Sequence, residues 1–185
     1  MAQNDEATLV IGGGKFYTAV VGTEAPEDIS EPGSAWKEIG HTSLENIFAI
    51  NSEGGDVTIL GTLQSRELRT KRAPRSESFR INLAQWDEDA LQFYFGSNAV
   101  TEDGWMEVPS DPTPVKVAFL AAFTDSGRQF GIYSASTEMA RGDNIDLSDT
   151  ENLATLPVDI KPLQYQGADS AWSLTPLGQV TGGIE

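Results

Sequence analysis

The chain has 185 residues, with 12 lysines and arginines against 28 aspartates and glutamates, and so a formal net charge of −16. It contains no cysteine, which excludes a disulfide scaffold and a thiolate metal site, and its acidity argues against tight nucleic-acid binding, which needs clustered cations. Its length predicts a single domain over residues 1–185, and its 18 glycines and 9 prolines favour a turn-rich, all-β fold.

The N-terminal third combines apolar alternation with turn residues. Residues 7–21 predict a β-hairpin whose turn is Gly12–Gly14. An acidic loop follows over residues 22–35, and Trp36–Gly40 predicts a short strand. Residues 42–45 have capping-box spacing and predict either one helical turn or an irregular loop. The N-terminus has no basic region and its apolar run is only Leu9–Ile11, so no secretory signal is expected. No stretch of the sequence approaches the roughly 20 apolar residues of a membrane span.

A long β-hairpin is predicted over about residues 56–84. Val57–Gln64 is rich in β-branched residues and leucine, and Ser78–Leu83 alternates polar and apolar residues. Half of the chain's cations lie in this segment: Arg66, Arg69, Lys71, Arg72, Arg75 and Arg80. Arms of about ten residues would reach roughly 30 Å. Such a ribbon is marginally stable alone and has open edges, so we expect other copies of the chain to cover it.

A short flanking helix is predicted over residues 87–95. Asp87 is a suitable N-cap, and its acidic neighbours Glu88 and Asp89 lie near the positive end of the helix dipole. Gly96 suits the left-handed position that ends a helix. A helix of two to three turns does not persist alone, so its aromatic residues are expected to dock on a sheet.

The C-terminal half predicts further strands. Residues 101–114 predict a loop, and Val115–Thr124 and Gln129–Ser136 predict two strands joined by a tight turn. Residues 153–165 contain two prolines and predict an edge or bulged strand. Ala171–Leu174 predicts a last short strand. The expected fold is a β-sandwich or open barrel of roughly seven to nine strands, with one flanking helix and one protruding hairpin.

The sequence offers no constellation typical of catalysis. Lys15 follows three glycines but precedes Phe16, so the phosphate-loop pattern is not met. The acidic run 143–151 places Ile145 and Leu147 where a calcium loop needs oxygen ligands. His41 is the only histidine, and no nucleophile motif accompanies it. We therefore predict no catalytic residue, no metal site and no cofactor.

The basic hairpin has three interpretations. It could bind nucleic acid, remain a solvated loop, or dock on an acidic surface of a sister copy, such as the loop with Glu24, Glu27, Asp28 and Glu31. Docking is favoured because it also accounts for the length of the hairpin. The predicted contact residues between subunits are Arg66, Arg69, Lys71, Arg72 and Arg75.

Taken in order, several segments resemble the major tail protein, or tail tube protein, of long-tailed bacteriophages, particularly those that infect actinobacteria. The matching stretches include ATLVIGGGKFYTAVVGT, AWKEIGHTSLENIF, SEGGDVTILGTLQSRELRTKRAPRSESFRINLAQWDEDALQFYFG, ARGDNIDLSD and TLPVDIKPL. They extend from about residue 7 to about residue 178. Each motif has low specificity alone, and the resemblance depends on their order and spacing.

The resemblance implies a structural virion protein and no enzyme. Six copies would form a ring, and stacked rings would form the hollow tail tube through which double-stranded DNA passes non-specifically during genome ejection. It also implies partners, namely the tape-measure protein, the tail terminator and the distal tail proteins. The protein would be found in the virion tail, and in the host cytoplasm during assembly. The alternative is a monomeric β-sandwich module that binds a ligand or decorates a capsid.

In such a tube, the hairpin would contribute to the channel wall. The period-two alternation predicts that Phe79, Ile81 and Leu83 face the core of the subunit. The residues predicted to face the channel are Ser78, Arg80 and Asn82, with Thr58, Thr62 and Gln64 on the opposite arm. A polar wall with few cations suits a conduit along which DNA must slide.

Overall fold

The structure is a computed structural model that describes residues 7–179. Within that range the chain forms thirteen strands and one helix. The elements are β1 (Gly13–Ala19), β2 (Lys37–Glu38), β3 (Ala49–Gly54), β4 (Val57–Leu60), β5 (Arg69–Arg72), β6 (Arg75–Leu83), α1 (Glu88–Phe95), β7 (Val100–Glu102), β8 (Trp105–Glu107), β9 (Val115–Asp125), β10 (Arg128–Arg141), β11 (Leu156–Pro162), β12 (Ser173–Leu174) and β13 (Gly178–Gln179).

Nine of these strands form one antiparallel sheet. Its main path runs β2-β1-β9-β10-β11-β6-β3, and β12 and β13 also pair with β10. Strands β4 and β5 form a separate two-stranded sheet, as do β7 and β8. The mainly β fold predicted from the sequence is confirmed. No sheet closes among the described residues, so the predicted barrel is not confirmed.

The core lies on both sides of β9. On one side, Phe119 and Phe123 join a cluster of phenylalanine rings whose centroids lie 5.4–6.4 Å apart. On the other side, Leu120 is 1% exposed and packs in a second cluster with Tyr17 and Trp36. The apolar run of β9 lacks strict alternation because both faces of the strand are covered, as is typical of a central strand.

The predicted helix is confirmed, with one difference at its end. The side chain of Asp87 accepts a hydrogen bond from the backbone N–H of Ala90 at 2.9 Å, as an N-cap does. Ala90 and Tyr94 are buried against the sheet. Gly96 has a φ of +103° and a ψ of 157°, so it is not in the predicted left-handed helical conformation, although its positive φ still favours glycine.

The tight turn predicted between the strands near residues 115–124 and 129–136 is also confirmed. Strands β9 and β10 are joined at Asp125 and Arg128 by the two residues Ser126 and Gly127. Their φ values are +47° and +83°. Two consecutive positive φ values are typical of the type I′ turn, whose twist matches that of the two strands.

The N-terminal hairpin predicted over residues 7–21 is wrong. Gly13 and Gly14 belong to β1, which pairs with β9 along its length, and the glycines form no turn. A Cβ atom on Gly14 would lie 3.0 Å from Cδ1 of Phe123. Glycine leaves room here for the close approach of Phe123, a second role of glycine in strands. The adjacent prediction of a strand near Trp36–Gly40 is confirmed by β2.

Two other predictions need correction. Residues 101–114 contain part of the hairpin β7–β8, whose strands have three residues each and are too short to show alternation. Strand β11 is central, between β10 and β6, whereas an edge or bulged strand was predicted. Its prolines are tolerated because they lie near its ends. The carbonyl of Pro157 accepts from the N–H of Gly142, so the side of Pro157 that lacks an N–H faces β10 beyond the last paired residues of the β10–β11 ladder. Residues 42–45 form the irregular loop, not the helical turn.

Candidate functional site

A two-stranded ribbon extends from the sheet over residues 51–78, beyond Phe79, where the pairing of β6 with β11 ends. Ala49 lies opposite Arg80 and Gly54 opposite Arg75 where β3 pairs with β6. Where β4 pairs with β5, Leu60 lies opposite Arg69. The register is unchanged between the two parts, so no residue is inserted on either arm. Residues 61–68 close the end of the ribbon, which is stabilised there by a 3.0 Å hydrogen bond from the N–H of Leu68 to the carbonyl of Leu60.

The ribbon overlaps the hairpin predicted over about residues 56–84 but has different arms. Its first arm begins in β3, because Gly54 and Gly55 have φ values of +83° and +78° and bend the ribbon without reversing it. Thr58 therefore lies opposite Lys71, whereas the prediction placed it across from Ser78–Leu83. Thr62 and Gln64 lie in the end turn. The residues opposite Ser78 and Arg80 are Asn51 and Ala49.

The alternation predicted for β6 is confirmed. Phe79, Ile81 and Leu83 are each 0% exposed, on the core side. Ser78, Arg80 and Asn82 are half-buried on the other face. Arg80 donates to Asp159 from Nε at 2.6 Å and from a terminal nitrogen at 3.0 Å. The hydrogen bond to Asp159 is the main reason that the pKa of Arg80 is raised.

Cations in the body of the subunit have polar partners. They are paired as Lys15 with Glu38, Lys37 with Asp89, Arg80 with Asp159, Lys116 with Glu138, Arg128 with Asp125, Arg141 with Asn144 and Lys161 with Ser76. The five predicted contact residues of the ribbon differ. Within residues 7–179, Arg66, Arg69, Lys71, Arg72 and Arg75 form no ion pair and donate no side-chain hydrogen bond.

The distal ribbon, residues 57–72, also exposes apolar side chains and backbone edges. Five aliphatic residues are each at least 50% exposed: Val57, Ile59, Leu60, Leu63 and Leu68. Among the described residues, strands β4 and β5 pair only with each other, so both outer edges present backbone groups that no other strand of this part of the chain pairs with. Open edges with exposed apolar side chains are a template for association, and the structure thus gives this segment the features of an interaction surface.

Sequence reasoning missed a second exposed element, the small hairpin of β7 and β8. It is a separate two-stranded sheet with Asp103 and Gly104 at its turn, where φ is +51° and +82°. Its Trp105 is 81% exposed. The Asp-Gly pair is a known hairpin signal that could have located this element.

The described residues offer little for other chemistry. Between residues 7 and 179, no group of three or more histidine, cysteine, aspartate or glutamate side chains is arranged to hold a metal ion. No helix in this part of the chain is long and apolar enough to cross a membrane.

Comparison with known proteins identifies a family. A profile described as "Phage tail tube protein" matches residues 1–175. The major tail protein Gp23 of Mycobacterium phage D29 is 33% identical over 180 residues, which cover 90% of this chain and 89% of that protein. The major tail protein Gp23 of Mycobacterium phage L5 is 31% identical over the same shares of the two chains.

Proposed function

The chain belongs to the phage tail tube protein family, and from this membership we propose that six copies form a ring and that stacked rings form a hollow tube that conducts double-stranded DNA during genome ejection. The protein is a major tail protein, a structural component of the virion tail. Its role is structural and not enzymatic. Its other partners are the tape-measure protein, the tail terminator and the distal tail proteins, which it meets in the host cytoplasm during assembly.

The observation that carries this proposal is the ribbon. A two-stranded ribbon is marginally stable in water unless something covers it. This one has open edges, exposed aliphatic side chains and five cations without an ion-pair partner among residues 7–179. The main sheet is likewise open, with β2 and β3 at the ends of its path. Sheets from six copies, joined side by side, would form one closed barrel without free edges.

The polar outer face of β6 is consistent with the proposed role of the tube as a channel for DNA. Ser78, Arg80 and Asn82 lie on that face, and we propose that they line the channel together with Thr62 and Gln64 from the end of the ribbon. Thr58 is left out of this lining because it lies opposite Lys71, which is an odd number of residues from Ser78 along the second arm and so alternates to the other face. The charge of Arg80 is balanced by Asp159 at 2.6 Å and by Asp143 at 3.6 Å. A balanced charge does not hold phosphates firmly, which favours sliding of DNA.

The test is the assembly state of the purified protein. Size-exclusion chromatography with light scattering, followed by negative-stain microscopy, is expected to show rings or tubes. The matched control replaces residues 57–72 by Asn-Gly, which closes the ribbon at its base and is expected to leave a folded monomer. If the unaltered chain remains a 19.9 kDa monomer at every concentration, the proposal is rejected in favour of a monomeric β-sandwich module that binds a ligand or decorates a capsid.

A further inference from the structure

We propose that the distal ribbon of one copy docks on the small hairpin β7–β8 of a neighbouring copy. In this contact Arg69 and Lys71 pair with Glu102 and Glu107, and Leu60 packs on Trp105. The inference rests on the proposed self-assembly and identifies the surface that receives the ribbon.

The small hairpin presents one face that is apolar and acidic. Val100 lies opposite Glu107, and Glu102 lies opposite Trp105. Opposite residues and residues two apart share a face, so these four side chains point the same way, and all are exposed. Neither glutamate forms an ion pair or side-chain hydrogen bond within the described range, and Trp105 contacts no other aromatic ring there.

The distal ribbon presents a face with the opposite charge. Leu60 lies opposite Arg69, and Thr58 lies opposite Lys71. By the same rule these four side chains share one face of the β4–β5 sheet. The face therefore offers one aliphatic residue and two cations, whereas the small hairpin offers two apolar residues and two carboxylates. The two faces are therefore opposite in charge, and each also presents an apolar side chain.

The charges on the two faces are spaced alike. Arg69 and Lys71 are two residues apart on one strand, about 6.6 Å at roughly 3.3 Å per residue. Glu102 and Glu107 lie on the diagonal of two neighbouring pairs, about 7–8 Å apart. Both ion pairs can therefore form at once. An exposed ion pair contributes little alone, but Leu60 and Trp105 would exclude water beside the charges, and tryptophan is frequent at the centres of interfaces.

The other acidic segments fit less well. In the loop at residues 143–151, Asp146 accepts from Ser148 and Asp149 accepts from the N–H of Glu151, so these carboxylates are used within the loop. In the loop at residues 22–35, Asp28 accepts from Ser30. Glu24 and Glu27 are exposed in that loop, but its tryptophan neighbour Trp36 is buried. Glu24 and Glu27 therefore serve as the control positions in the test.

The test is a charge exchange across the contact. The double substitutions Arg69→Glu with Lys71→Glu, and Glu102→Lys with Glu107→Lys, are each expected to raise the concentration needed for tube assembly at least about tenfold. Combining all four substitutions should return the concentration needed for assembly to within about threefold of that of the unaltered chain. Trp105→Ala should also raise it. The control Glu24→Lys with Glu27→Lys makes the same charge change as the hairpin pair and should leave assembly within about threefold.

Circular dichroism and urea unfolding verify that each variant is folded, as expected for substitutions at exposed positions. The proposed contact would be overturned if both charge-reversed double variants formed tubes at the normal concentration. It would also be overturned if assembly were not restored in the variant with all four substitutions. Loss of assembly only in the control would assign the ribbon to the loop at residues 22–35. A wild-type chain that never assembles rejects the proposed function, whereas wild-type tubes with unaffected variants reject only this contact.

Discussion

Strand β6 passes through two regions that differ in how they are stabilised. In the body, Phe79 to Leu83 alternate between a fully buried core face and a half-buried outer face, and cations have partners within the chain. In the ribbon, Arg75 and Ser76 are exposed, and the cations form no ion pair with the described residues. The body thus pairs its own charged groups, whereas the cations and backbone edges of the ribbon are left to solvent unless another copy covers them.

The contrast between body and ribbon should be largest in how much a substitution lowers the free energy of unfolding. Phe79→Ala removes a ring that is 0% exposed and contacts Phe48, Phe119 and Trp172, so we expect a loss of about 3–5 kcal/mol. Ile59→Ala in the ribbon, where the side chain is 54% exposed, should cost less than about 0.5 kcal/mol. Urea unfolding followed by circular dichroism measures both. Similar losses in the two variants would contradict the division into body and ribbon.

Hydrogen exchange tests whether the ribbon becomes ordered on assembly. Amides of residues 66–76 should exchange quickly in the monomer, because few contacts stabilise the ribbon, and should slow at least about a hundredfold in tubes. The strands at residues 115–124 and 129–136 should be protected in both states, since they lie in the core. Equal protection of the ribbon in monomer and tube would mean that it is preformed and does not order on assembly.

Features with a local signal could be predicted from the sequence. The β9–β10 turn is set by Asp125 to Gly127, and the helix by the N-cap Asp87. The pairing of Gly13 with Thr124 joins residues far apart in the chain, and no local pattern encodes it. The start of the ribbon was missed because Gly54 and Gly55 resemble a turn but only bend the strands.

The candidate site was predictable only in part. The cluster of cations is visible in the sequence, but whether a cation has a partner depends on which strands become neighbours. Arg80 belongs to the same cluster as Arg72, yet β11 brings Asp159 opposite it. The small hairpin was missed because three-residue strands are too short to show a period.

Arg80 and Arg72 allow a direct comparison of a paired and an unpaired cation. Arg80→Gln removes the two hydrogen bonds to Asp159 and one to the carbonyl of Gly142, so we expect a loss of about 1 kcal/mol in the free energy of unfolding. Arg72→Gln should leave this quantity unchanged, since its guanidinium has no partner in the described chain. Urea unfolding of the two variants is the measurement. An equal loss at Arg72 would indicate an in-chain contact for the ribbon.

The smallest expected effect concerns the response of the body to acid. The carboxylate of Asp125 accepts a 3.1 Å hydrogen bond from the N–H of Val10 and pairs with Arg128. The bond from Val10 is the main reason that the pKa of Asp125 is lowered. Because the folded state favours the charged carboxylate, its contribution to stability is complete above the unfolded pKa of about 3.9 and is lost as the pH falls through the lower folded pKa.

Asp125→Asn isolates this contribution, since the amide oxygen can still accept from Val10 but carries no charge. The free energy of unfolding of the unaltered chain should exceed that of the variant above about pH 5, and the difference should shrink as the pH falls below about 4. Other carboxylates titrate alike in both proteins and cancel in the difference. The ribbon variant Arg69→Met with Lys71→Met should show no such pH dependence, because both cations stay charged throughout this range. A difference for Asp125→Asn that stayed constant into strong acid would mean that the charge of Asp125 does not stabilise the body, and the contrast between a self-satisfied body and a partner-dependent ribbon would then rest on packing alone.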